Sequence, residues 1–180
     1  MTTALIVIDV QQGFEDPRWG PRNNPECETN IRKLVDHWRK TQQPIVLVRH
    51  DSTSTGSPLA PGQPGNDFKP GIDGAHDLLI SKHTNSAFYG TPSLEEWLHA
   101  TNITNVVICG ISTDHCCSTT ARMAANLGYA VTFALDATHT FDRSLPDGTI
   151  IPADTVYQVN AASLSEEFAT IRTTAELTSS

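Results

Sequence analysis

Residues 105–129, NVVICGISTDHCCSTTARMAANLGY, carry an apolar run, a polar turn and a segment of helical composition in immediate succession. Asn105 to Gly110 reads as a buried strand. Thr113 can cap a helix from Asp114 to Leu127, and Gly128 is a good left-handed terminator for it. Residues 130–135, AVTFAL, then form the next strand. A strand that passes into a helix and on to another strand is the repeating unit of a parallel sheet.

The same alternation extends in both directions. Upstream, ALIVI at 4–8 is an apolar, β-branched run that stops at Asp9 and opens into the polar loop QQGFEDPRWGPRNNP. Ile31, Leu34, Val35 and Trp38 recur at helical spacing between Pro25 and about Gln42, with Asn24 and Pro25 as the start. IVLVR at 45–49 is the second strand, and Leu78 to Ile80 make a short third one before Lys82. Thr91-Pro92 opens a helix carrying Leu94, Trp97 and Leu98. Downstream, a loop through DATHTFDRSLPDGTI leads to a helix starting near Pro152, and FATIR at 168–172 is the last strand. The expected fold is an α/β, three-layer α-β-α domain over residues 1–180 with an open, mainly parallel sheet of about six strands. Between His50 and Ala75 lies a long stretch rich in Gly, Pro, Ser and Thr, which in a compact domain covers a site or meets a neighbouring subunit.

A formal charge of −8 repels phosphate backbones and anionic lipid surfaces, so neither nucleic acid nor membrane is an expected partner. The beginning of the chain has no basic segment before its short apolar run, which points to a cytoplasmic enzyme. Cys27, Cys109, Cys116 and Cys117 show no spacing suited to structural zinc. A Cys116-Cys117 disulfide would close a small strained ring, so free thiols are expected.

In a parallel sheet Asp9, Lys82 and Cys116 all fall at the carboxyl edge, where open sheets place their chemistry. Cys116, in the first turn of its helix, would have its thiol pKa lowered by the helix dipole and act as a thiolate. Read alone it is equally a small buried residue, a description that suits Cys109 better. Asp9 should be partly desolvated and paired with Lys82, although each alone reads equally as a loop cap and a surface charge.

The segment GISTDHCCSTTARMAANLGY, 110–129, closely resembles the nucleophile-bearing signature of isochorismatase-like cysteine hydrolases. IVIDVQQGF, 6–14, and KHTNSAFYGT, 82–91, resemble further elements of that family in the right order. The resemblance implies that Asp9, Lys82 and Cys116 are catalytic. It also implies a cis peptide at Ile111-Ser112 and an oxyanion hole made by the backbone N–H groups of Ser112 and Cys116. Cys117 stands where the family usually has a small apolar residue.

The implied reaction is hydrolysis of a C–N bond in a small amide, ureide or carbamoyl compound through a thioester. Nicotinamidases, a metal-containing branch, have an Asp-x-His element that is not matched by VRHDSTSTGSPLAPG, where His50 and Asp51 are adjacent. No metal or other cofactor is expected, and a nicotinamidase-type amidase is the alternative. Isochorismatases proper lack the nucleophilic cysteine, so Cys116 argues against vinyl-ether cleavage. Gln12, Phe14, Trp19, Asn85, Phe88, Tyr89, Ile111 and His115 are the candidate substrate contacts, with Phe88 and Trp19 equally readable as loop packing. From other classes, a thiol redox sensor using Cys116 and Cys117, or a silent binding domain, competes with the hydrolase. The resemblance also implies a homo-oligomer, dimer or tetramer.

Overall fold

Strands that are apolar on both faces need helices above and below them, and this requirement organises the computed structural model, which describes residues 2–179. In chain order the elements are β1 (Thr3–Ile8), α1 (Cys27–Lys40), β2 (Ile45–His50), β3 (Leu78–Lys82), α2 (Leu94–Ala100), β4 (Asn105–Ile111) and α3 (Ser118–Asn126). They continue as β5 (Ala130–His139), β6 (Arg143–Ser144), β7 (Ile150–Ile151), α4 (Ala153–Leu164), β8 (Thr170–Arg172) and α5 (Thr174–Thr178). The main sheet has six strands in the order β3-β2-β1-β4-β5-β8, every pair parallel, while β6 and β7 form a separate antiparallel hairpin.

Side chains alternate between two cores. Ala4, Ile6, Ile8, Val106 and Ile108 pack against Leu94 and Leu98 of α2, Ala121 and Ala124 of α3 and Leu164 of α4. Leu5, Val7, Val107 and Cys109 face the other way, onto Ile31, Leu34, Val35 and Trp38 of α1. The three-layer α/β architecture expected from the strand-helix alternation is therefore present.

Several local details differ from the sequence reading. Residues 113–117 form one wide π-type turn, with Cys117 N–H donating to Ser112 O at 3.2 Å, and regular helix begins only at Ser118. Thr113 caps nothing: its hydroxyl donates to Thr138 Oγ1 at 2.8 Å, a tertiary partner that outcompetes the local one. The cap of α2 is Ser93, whose Oγ accepts from Glu96 N–H at 3.2 Å, and Thr91-Pro92 is a cis peptide lying before it.

β5 extends past Leu135 to His139 through an irregularity in which Phe133 pairs with Ile108 but Thr138 pairs with Gly110. The carbonyls freed there are satisfied from α1 and its approach: Asn24 Nδ2 donates to Asp136 O and Thr138 O, and Asn30 Nδ2 to Asp136 O. The short α5, held by a capping box between Thr173 and Glu176, was not expected from the sequence.

The 50–75 stretch is folded onto the sheet edge. Buried Asn66 donates from Nδ2 to Asp51 Oδ1 and Leu59 O at 2.9 Å each, and buried Lys69 pairs with Glu15 and, at 2.5 Å, with Glu28 of α1. Arg22 completes that clamp with a two-pronged bond to Glu28, each prong 2.7 Å.

Gly110 shows how tightly β4 approaches β1. It adopts φ +128°, and a β-carbon there would collide with the backbone of Ile8. Gly128 has φ +89° with nothing within 4 Å of the same position. Gly110→Ala should therefore lower unfolding stability by about 3 kcal/mol or more, against about 1–2 kcal/mol for Gly128→Ala, as measured by urea denaturation.

Candidate active site

Strand order reverses around β1, which has β2 on one side and β4 on the other, so the crevice beyond β1 and β4 is a topological switch point. Asp9 leaves β1 there. Its backbone takes φ +52°, a left-handed conformation costly for a residue with a β-carbon, and its N–H is fixed by Val48 O at 2.8 Å. Lys82 enters from the end of β3, whose partner across the register is His50 of β2. Its side chain passes the end of β2 to reach Asp9 Oδ2 at 2.6 Å, with both side chains wholly buried.

Cys116 comes from the turn after β4. Its Sγ lies 3.5 Å from Lys82 Nζ and 3.6 Å from Asn85 Oδ1. Asp9 Oδ1 is buried with no hydrogen-bond partner among the described residues, an acceptor available for a proton. The Ile111-Ser112 peptide is cis.

The electrostatics reverse one sequence expectation. Burial first, then the Asp9 carboxylate, push the Cys116 thiol well above its ordinary range, and Lys82 opposes them only partly. Burial and the neighbouring carboxylate thus favour the neutral thiol over the dipole-stabilised thiolate expected at a helix start. Burial would likewise pull Lys82 down, but Asp9, and after it Cys116, outweigh burial and hold the ammonium above its usual value. The site thus holds a buried ion pair beside the Cys116 sulfur.

Donor atoms of Asp9, His50 and Cys116 lie within 4.8 Å of one another, close enough to surround a cation. A cation already stands among them. Lys82 Nζ is 2.6 Å from Asp9 Oδ2, 3.4 Å from His50 Nδ1 and 3.5 Å from Cys116 Sγ.

A family model described as the isochorismatase domain matches residues 3–176. The chain belongs to the isochorismatase family. The family protein YrdC of Bacillus subtilis is 40% identical over 175 residues, spanning 97% of this chain and 93% of that protein. A hydrolase of the isochorismatase family from Chromobacterium violaceum superposes with a TM-score of 0.94 at 39% identity, covering 99% of this chain and 92% of its own. An N-carbamoylsarcosine amidase from Thermoplasma acidophilum superposes with a TM-score of 0.70 at 26% identity, covering 97% of each chain. The family is one of hydrolases and includes amidases.

Among the candidate substrate contacts of this isochorismatase-family hydrolase, Asn85 stands at the sulfur. His115 flanks it with a mostly exposed ring, Nε2 lying 3.4 Å from Asp114 Oδ2. Phe14 and Trp19 each stack on Phe141 and pack tilted against each other, and Phe88 packs on Tyr129 with ring centroids 5.9 Å apart. Ile111 is fully buried in the α1-side core. Gln12 donates to Phe68 O at 3.2 Å, while Tyr89 projects into solvent. All four cysteines are free thiols, and Cys117 is wholly buried beside Cys116.

Two supporting networks were not legible in the sequence. Gln11, itself buried, grips His50 by its backbone, accepting its N–H at 2.9 Å and donating to its carbonyl at 3.0 Å. On the other side of the site, Asp114 accepts from Ser112 Oγ (3.0 Å), Thr140 Oγ1 (2.5 Å), Arg143 Nε (2.6 Å) and Arg143 Nη2 (2.9 Å). Burial alone would raise the Asp114 pKa, but the bonds from Arg143 and Thr140 lower it to about 2.

A carboxyl depressed by folding stabilises the protein above its unfolded pKa and loses that contribution as pH falls through the folded value. Asp114→Asn should accordingly cost about 2 kcal/mol at pH 7. In urea denaturation the gap between variant and parent should close as pH falls from about 4 to 2.

Proposed function

We propose that this hydrolase cleaves a C–N bond in a small amide, ureide or carbamoyl compound, with Cys116 as nucleophile and a thioester as intermediate. The observation that carries this reading is the Cys116 sulfur, 3.5 Å from Lys82 Nζ, set against the buried Asp9–Lys82 ion pair, where burial favours the neutral thiol. A neutral thiol needs a base at the moment of attack, and Asp9 offers an unpartnered carboxylate oxygen. An amidase of known substrate on the same fold adds support for the bond type.

In the proposed sequence Asp9 takes the Cys116 proton as sulfur attacks the carbonyl carbon. The tetrahedral oxyanion is met by the N–H groups of Ser112 and Cys116, while Lys82 balances the changing charge. Asp9 then returns its proton to the departing nitrogen, leaving the acyl group on sulfur. Water, with Asp9 again as base, adds to the thioester, and its collapse regenerates the thiol and releases the acid. Lys82 supplies the positive charge that a metal would otherwise provide, so activity should survive exhaustive chelation.

The test is ammonia release from a panel of amides, carbamoyl compounds and ureides. Cys116→Ser should lower kcat by roughly four orders of magnitude on any compound that is turned over. Substantial residual hydrolysis in that variant would remove Cys116 from the nucleophile's role. Asp9→Asn separates the hydrolase from a thiol sensor: it should abolish turnover in the former and leave reaction with oxidants intact in the latter.

A further inference from the structure

Lys82 has three N–H donors and faces four acceptors: Asp9 Oδ2 at 2.6 Å, Thr84 O at 3.0 Å, His50 Nδ1 at 3.4 Å and Cys116 Sγ at 3.5 Å. The first two are ordinary bonds that persist whatever the state of the sulfur. One N–H remains for two acceptors, the His50 nitrogen at a long 3.4 Å and the larger Cys116 sulfur at 3.5 Å, an ordinary separation for sulfur. We propose that His50 is a positioning residue that holds this third N–H of Lys82 while Cys116 is a thiol and yields it to the sulfur when the thiolate forms.

Acceptor strength sets the order of preference. A thiol sulfur accepts weakly and a neutral imidazole nitrogen accepts well, so the resting ammonium favours His50. A thiolate carries a full charge and displaces the imidazole. His50 is suited to the task because burial, and after it the Lys82 ammonium, keep its pKa below the ordinary value and its ring neutral. With Nδ1 accepting, the proton of the neutral ring sits on Nε2.

The backbone that carries the ring is fixed by the protein itself. Gln11 fixes the backbone of His50 on both sides, and the β2–β3 register places His50 opposite Lys82. The charged and titratable groups around His50 are Lys82, Asp9, Asp51, His83 and Cys116, and those around Cys116 are Asp9, Lys82, His50 and the buried Cys117. Asp51 is occupied by Arg49 and Asn66, and His83 Nδ1 by the Asp51 carbonyl, so neither competes for the Lys82 proton. Because His50 stabilises the thiol state in particular, removing its acceptor should make the thiolate easier to form.

The inference rests on the reading of Cys116 as the nucleophile. Its test is the pH dependence of iodoacetamide alkylation at Cys116 in the intact protein, His50→Leu and His50→Asn. Leucine should move the midpoint down by roughly one unit, whereas asparagine, which presents Oδ1 near the place of Nδ1, should leave it at the parental value. An unchanged midpoint with leucine, or equal displacement by both substitutions, overturns the proposal in favour of a space-filling ring. Imidazole 15N spectra of the unsubstituted protein give a second reading that no folding defect can obscure. An unprotonated Nδ1 with a protonated Nε2 is expected, and the opposite tautomer overturns the proposal. Alkylation requires no substrate, so failure here is distinct from failure of the hydrolase reading, which appears as retained hydrolysis in Cys116→Ser.

Discussion

The ion pair between Asp9 and Lys82 is the constraint on which the site depends. Removing two full charges from water costs several kcal/mol for each ion, and the cost is offset only if the partners meet in good geometry with their remaining bonds satisfied. Here the partners come from strands separated by β2, so the pair is correct only when β1, β2 and β3 are in register. A slip of one residue would send Lys82 to the other face of the sheet and leave Asp9 buried and unpaired. The left-handed backbone at Asp9, the carbonyl of Thr84 and the ring of His50 serve that geometry.

Because the charge is stored in the carboxylate and the ammonium, the sulfur can remain uncharged at rest. This differs from a thiol activated by a helix N-terminus, and the reason lies in where Cys116 sits. It occupies a wide turn before the regular helix and is more than nine-tenths buried, so desolvation outweighs the helix dipole. That turn is fastened through its own Asp114, which accepts from Thr140, just beyond β5, and from Arg143 of the β6–β7 hairpin. The hairpin otherwise exposes Leu145 and Ile150 to solvent, and its ionic tie to Asp114 joins it to the turn that carries Cys116.

How much of this was legible varies residue by residue. The six-strand sheet could be read because each buried strand is a short apolar run with β-branched residues, and the gathering of Asp9, Lys82 and Cys116 followed because parallel strands all end at one edge. Thr113 was misread as a cap because its competing partner, Thr138, lies far along the chain. Gln11, Asp114 and Arg143 are ordinary polar residues in sequence and take their place around the site only through bonds to distant strands and loops. Phe14 and Trp19 were candidates for substrate because they follow Asp9 closely, yet their stacking with Phe141 is decided by the approach of a loop at the far end of β5.

The sequence by itself determined the layer architecture, the family and the edge at which an acid, an amine and a thiol would meet, since those follow from local periodicity, strand direction and contiguous motifs. Only the tertiary structure decided which atoms touch, that burial pushes the Cys116 thiol up and that His50 Nδ1 and Cys116 Sγ both lie within reach of the Lys82 ammonium. Those facts depend on burial and on separations of a few ångströms between residues from different strands, and neither quantity is written in any contiguous stretch of chain.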